Sequence, residues 1–106
     1  MQKDNYITEV MFRKVKSKDF KGTIDAYFPY EINDLKGNIT CYSTLGGHSG
    51  VTWDYVLTQT VPAKEIEYKA LKSELEYNYG YNLKVVKKRN YRRYIKEFEN
   101  VLNQCK

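Results

Sequence analysis

Histidine, tryptophan, cysteine and proline are scarce, and the scarcity excludes several kinds of protein. The chain of 106 residues has one histidine, one tryptophan, two cysteines and two prolines. His48 with the distant Cys41 and Cys105 does not supply a zinc ligand set. Two cysteines do not make a disulfide framework, and they read as reduced, buried thiols of a cytosolic protein. Neither a GxxxxGK[ST] loop nor a GxGxxG fingerprint occurs, so the two commonest phosphate-cradling motifs are missing. No apolar run approaches the length of a membrane span, and the first ten residues, MQKDNYITEV, are too polar for a signal peptide. There is no internal repeat and no low-complexity segment. The expectation is one cytoplasmic domain over residues 1–106, without a membrane partner, metal, cofactor or enzymatic activity.

What is abundant is tyrosine, with eleven copies, and positive charge, with a net of +5. The charge is unevenly placed. Residues 1–83 carry ten Lys and Arg against eleven Asp and Glu, whereas residues 84–106 carry eight against two. The basic character belongs to the C-terminal segment.

The patterning predicts an α+β fold in the order β-β-β-β-α-β-α: a four-to-five-stranded, mainly antiparallel sheet with two helices packed on one face. Tyr6 to Val15 and Thr23 to Phe28 are rich in β-branched and aromatic residues and alternate, so they read as a hairpin around a polar turn that closes on Gly22. Pro29 stops the second strand or places its end at a sheet edge. Lys36-Gly37-Asn38 is turn chemistry before a third strand, Ile39 to Thr44. Val51 to Thr58 fits two periods, because Val51, Trp53, Tyr55 and Leu57 alternate while Thr52, Tyr55 and Val56 fit a helix face. Its β-branched and aromatic content favours a fourth strand. Thr60 is placed as the cap of the first helix and Pro62 in its first turn, with Tyr68, Leu71, Leu75 and Tyr79 as the apolar stripe and Gly80 as the left-handed stop. Tyr81 to Lys87 is a fifth strand. A last helix begins near Asn90, with Tyr91, Tyr94, Ile95, Phe98, Val101, Leu102 and Cys105 on one face.

The candidate site is the glycine-rich segment Leu45-Gly46-Gly47-His48-Ser49-Gly50, read as a loop between the third and fourth strands. Three glycines among five residues let backbone approach a ligand closely or turn sharply. His48, Ser49 and the amides of Gly46 and Gly47 would hold a ribose or phosphate. Tyr42 or Trp53 would stack on a base, and Arg13 would neutralise charge. The alternative is a plain hairpin loop with a surface histidine. His48 and Ser49 do not form a catalytic pair, because adjacent side chains on an extended backbone point to opposite faces.

The basic run from Lys84 to Lys96 is a second candidate. Lys87, Lys88, Arg89, Arg92 and Arg93 would contact a small anion, an acidic protein or nucleic-acid phosphates, or would form the solvated side of the last helix. A small tyrosine-rich α+β domain also suits a homo-oligomer.

The ordered segments EVMFRK (9–14), DAYFPYE (25–31), TCYSTLGGHS (40–49), TVPAKEIEYKALKSELE (60–76) and GYNLKVVKK (80–88) resemble a family of small proteins from phages and mobile elements of gut bacteria. The family's middle motif is C/S-Y-x-x-x-G-x-H-S, which Tyr42, Gly46, His48 and Ser49 match. Residues 90–106 form a helical extension outside the resemblance. What it implies is context rather than chemistry: a non-enzymatic anti-defence protein in the bacterial host cell, sequestering a small nucleotide immune signal of the cyclic or ADP-ribose type. The alternatives are a protein–protein inhibitor of a host defence protein and a nucleic-acid binder.

Overall fold

A computed structural model describes residues 6–16, 22–44 and 47–104. Leu45, Gly46, Cys105 and most of the turn before Gly22 lie outside the described residues. The elements run β1 (Thr8–Val15), β2 (Ile24–Ile32), β3 (Ile39–Ser43), β4 (Gly47–Val51), α1 (Trp53–Gln59), β5 (Thr60–Pro62), α2 (Glu65–Tyr79), β6 (Leu83–Val85) and α3 (Tyr91–Gln104). The fold is α+β, with a mixed sheet of six strands in the order β4-β3-β2-β1-β5, and with β6 also paired to β1.

Among the described residues there are three helices, not two, and they cover both faces of the sheet. Alternation along the central strands sends Val10, Phe12, Ala26, Phe28 and Tyr42 to one side, where Leu71 and Leu75 of α2 pack on them. Met11, Tyr27, Ile39 and Cys41 go to the other side, against Val56 of α1 and the half-buried Tyr94 of α3. Each large apolar side chain removed from water in this way contributes about 1.5–3 kcal/mol. None of the three helices is long and apolar enough to cross a membrane.

The extra helix is α1, and it replaces most of the expected fourth strand. Thr52 is its N-cap, with Oγ1 accepting from the Tyr55 amide at 3.1 Å. Asp54 stands in the first turn, at the positive end of the dipole. The helix lasts seven residues and fully buries Val56 alone; of the alternating set that suggests a strand, Val51, Trp53 and Tyr55 are half-buried and Leu57 is exposed. The fourth strand exists, but it is built from the glycine-rich segment: Tyr42 pairs with His48 and Cys41 with Ser49. Thr60 and Pro62 consequently lie in β5, and α2 starts later, at Glu65, with Lys64 as N-cap. The Lys64 amide donates to the Glu67 carboxylate at 2.8 Å. Gly80 ends α2 in the left-handed conformation, with φ 71°.

Pro29 stands inside a central strand rather than ending one. Pairing with β3 passes from Phe28–Thr40 to Ile32–Ile39, so the register shifts at the proline and its missing N–H breaks no ladder bond. The turn that follows is held by Asp34, whose carboxylate accepts from the Lys36 and Asn38 amides at 2.9 and 3.1 Å.

The outer edge of β1 is shared. β5 pairs antiparallel with Arg13–Val15 and β6 pairs parallel with Thr8–Val10. The Ala63 amide donates to the Phe12 carbonyl at 3.1 Å and the Val86 amide to the Val10 carbonyl at 2.9 Å. Carbonyls two residues apart on a strand point to the same edge. The two short strands, which lead into and out of α2, therefore lie end to end along β1, with Met11 between their attachment points.

Candidate functional site

The residues named from the sequence fall into separate places. Tyr42 and His48 are brought together. The His48 ring lies 4.8 Å from that of Tyr42, 5.1 Å from that of Tyr79 and 6.4 Å from that of Tyr81, centroid to centroid. His48 Nε2 is 3.2 Å from the Tyr81 hydroxyl. The Tyr42 hydroxyl donates to the Glu74 carboxylate, and that bond, then the contact with Tyr79, raises its pKa. This is an aromatic cluster on the α2 face, at the β4 edge. Tyr79 and Tyr81 were placed in the sequence as a helix stripe and a strand, and only the chain reversal at Gly80 carries them to His48.

Ser49 faces the other side of the sheet, with Oγ 3.4 Å from Cys41 Sγ. Trp53 begins α1 on that same face, its ring 4.1 Å beneath the Arg89 guanidinium. The other side of Arg89 lies against Tyr94, at 3.8 Å. This sandwich ties α3 to α1. Gly47 opens β4 with φ 69°, and Gly46 is outside the described residues. Arg13 is on β1, three strands away from His48.

The basic run divides as well. Arg93 is ion-paired with Glu9 and sits 3.9 Å over the Tyr30 ring. Arg89 is held in its sandwich, so both have intramolecular work. Lys87, Lys88 and Arg92 are exposed and make no ion pair among the described residues. Tyr94 is half-buried and its hydroxyl donates to the Gly37 carbonyl at 2.5 Å, whereas Tyr91 is 64 % exposed.

The site with the most chemistry is a groove of about 640 Å³ cut into the β1 edge where β5 and β6 leave it open, lined by Met11, Phe12, Arg13, Lys64, Tyr68 and Lys87 among others. Its volume falls in the range of small-molecule pockets, roughly 300–1,000 Å³. One wall is the parallel stack of Phe12 on Tyr68, with centroids 4.5 Å apart and planes 10° from parallel. The cations Arg13, Lys64 and Lys87 line it with a single carboxylate, Glu65. Arg13 donates through Nε to Thr60 Oγ1 at 2.6 Å and through an Nη to the Thr60 carbonyl at 3.0 Å. Two of its five N–H donors are thus used, and the other three have no hydrogen-bond partner among the described residues. Among the described residues no carboxylate pairs with it. Burial lowers its pKa from the ordinary arginine value, the effect of holding a cation partly out of water without a counter-charge.

Arg13 and Lys87 were both named from the sequence, for separate purposes. Lys64, Tyr68 and Phe12 were not, because their proximity arises only when β5 and β6 take up one edge of β1. No group of metal-ligating side chains occurs among the described residues. No protein family, curated protein or solved structure matches this chain.

Proposed function

We propose that this is a non-enzymatic anti-defence protein that sequesters a small nucleotide signal, of the cyclic or ADP-ribose type, in the groove between β5 and β6. The observation that carries the reading is the convergence of three cations, Arg13, Lys64 and Lys87, none of them in a salt bridge among the described residues, on a cavity walled by the Phe12–Tyr68 stack. A nucleotide joins an anion to a flat aromatic ring, and the groove offers a complement to each. The free donors of Arg13 suit a phosphate in the forked geometry that arginine favours. The resemblance to phage and mobile-element proteins supports the anti-defence context.

The test is incubation with a panel of cyclic dinucleotides and ADP-ribose derivatives, removal of free ligand, heat release and mass spectrometry. A sponge returns its ligand intact, and an altered product would mean an enzyme. Lys64→Gln with Lys87→Gln is expected to lower affinity about tenfold or more, about 1.4 kcal/mol. Arg13→Gln should weaken binding further. Unchanged affinity in the Lys64 and Lys87 double variant would remove the groove from the function. If no nucleotide is retained, the exposed set Lys88, Tyr91 and Arg92 on and before α3 favours the rival reading, a contact with an acidic defence protein.

A further inference from the structure

One carboxylate stands among the cations of the groove between β5 and β6. Glu65 is the first residue of α2 and the only acid in the lining. It is exposed, and among the described residues it makes no ion pair, not even with Lys69 one turn along the helix. An acid in the first turn of a helix favours the positive end of the dipole, but Glu67 already fills that role. Glu67 accepts from the Lys64 amide at 2.8 Å and pairs with Lys14. A further negative charge in a groove that holds phosphate opposes binding unless it meets a donor on the ligand. The position of Glu65 says where that donor lies. Glu65 and Tyr68 are three residues apart on α2, so their Cβ atoms are about 5–6 Å apart on one face of the helix, and both line the groove. Tyr68 is half-buried, with its ring stacked on Phe12. A flat ring lying along the Tyr68 side chain presents its edge to Glu65. Arg13 and Lys87 come from the sheet instead, on β1 and just after β6.

We infer that Glu65 selects the base, and that the base is guanine. The inference rests on the nucleotide reading of this groove and narrows it to cyclic signals that contain guanine. Guanine carries two parallel N–H donors on its Watson–Crick edge, at N1 and N2, and a carboxylate accepts both at once in a charge-assisted pair. Adenine offers a single donor there, at N6, beside an N1 lone pair that a carboxylate repels. The phosphates are left to Arg13 and Lys87, so cation and carboxylate each meet their complement on one ligand.

The test is calorimetric titration of the full chain with cyclic di-GMP, with cyclic di-AMP, and with the cyclic di-inosine analogue, which lacks the 2-amino group. Cyclic di-GMP should bind at least tenfold more tightly than cyclic di-AMP, with the inosine analogue between them. Glu65→Gln replaces one acceptor by a donor, and its amide suits the donor and acceptor that adenine sets side by side. That variant should lose at least tenfold in affinity for cyclic di-GMP while holding or gaining affinity for cyclic di-AMP. Arg13→Gln should weaken both ligands by a similar factor and leave their ratio unchanged. Three results overturn the inference and leave the groove standing as a nucleotide site: equal affinity for the two dinucleotides, a preference for an adenine ligand, or a Glu65→Gln protein weakened toward both alike. If no nucleotide binds at all, the inference and the reading it rests on fall together.

Discussion

Burial raises the pKa of the Asp25 carboxyl above its ordinary value, against smaller opposing effects of the Ser43 and Tyr27 hydrogen bonds. The folded protein therefore holds that proton more tightly than the unfolded chain, and stability falls as pH rises through the folded pKa. Below the unfolded value, about 3.9, the group is neutral in both states and the penalty vanishes. Asp25→Asn, which is uncharged at every pH, is expected to melt above the wild type at pH 7, with the difference closing as pH drops toward 3. Equal melting temperatures at pH 7 would contradict this account. His48 yields a second expectation at this scale. Its side chain lies at the margin of the core, against the buried rings of Tyr42 and Phe28 and beside Tyr79 and Tyr81, and is itself exposed. His48→Ala should cost about 1 kcal/mol, one hydrogen bond's worth, read as a small drop in melting temperature. Nucleotide retention should be unaffected, because the groove lies at the opposite edge of the sheet. Lost retention with the fold intact would move the site to the β4 edge. The glycine-rich segment that draws attention to His48 is a local feature, and a local feature does not report that its neighbours Ser49 and Trp53 end up on the far face.

Helix α1 shows how a short element escapes sequence reading. Thr52, Tyr55 and Val56 are spaced for a helix, yet Val51, Trp53, Tyr55 and Leu57 alternate as in a strand. Seven residues are too few for either period to prevail on pattern alone. The cap decides. Removing it in Thr52→Ala should cost about 0.5–2 kcal/mol, lowering the melting temperature by about 4–8 °C per kcal/mol. Thr52→Ser retains an acceptor and should recover most of the loss, and a Ser variant as unstable as the Ala variant would show that the cap is not the cause. The glycines misled in the other direction. Three of them read as a loop, but β4 is an edge strand, where the lack of side chains to pack costs little. By contrast the Leu71 and Leu75 stripe of α2, its stop at Gly80 and the start of α3 near Asn90 are legible, because long helices repeat their pattern often enough to be unambiguous. Asn90 caps α3, its Oδ1 accepting from the Arg93 amide at 3.0 Å.

At the scale of the whole molecule, the hidden information was pairing. β5 and β6 are three residues each, too short to carry any period, and their common partner is far away in sequence. Arg13, Lys64 and Lys87 therefore appear in the chain as three unrelated cations. Only the closure of one sheet edge by both ends of α2 makes them neighbours.

That shared edge has a consequence in time as well as in space. Each of the two strands holds β1 by three registered pairs, and α2 joins them, so β5, α2 and β6 form one segment that can leave the β1 edge together. Local openings of this kind set the rate at which an amide trades its hydrogen for deuterium. The amides of Ala63 and Val86, which close the edge, should exchange faster than those of Met11 and Tyr27 at the sheet centre. A ligand seated between them should slow both together, while amides of β3 and β4 keep their rates. Uniform exchange across the sheet, or slowing of Ala63 without Val86, would show that the edge does not open and shut as one unit.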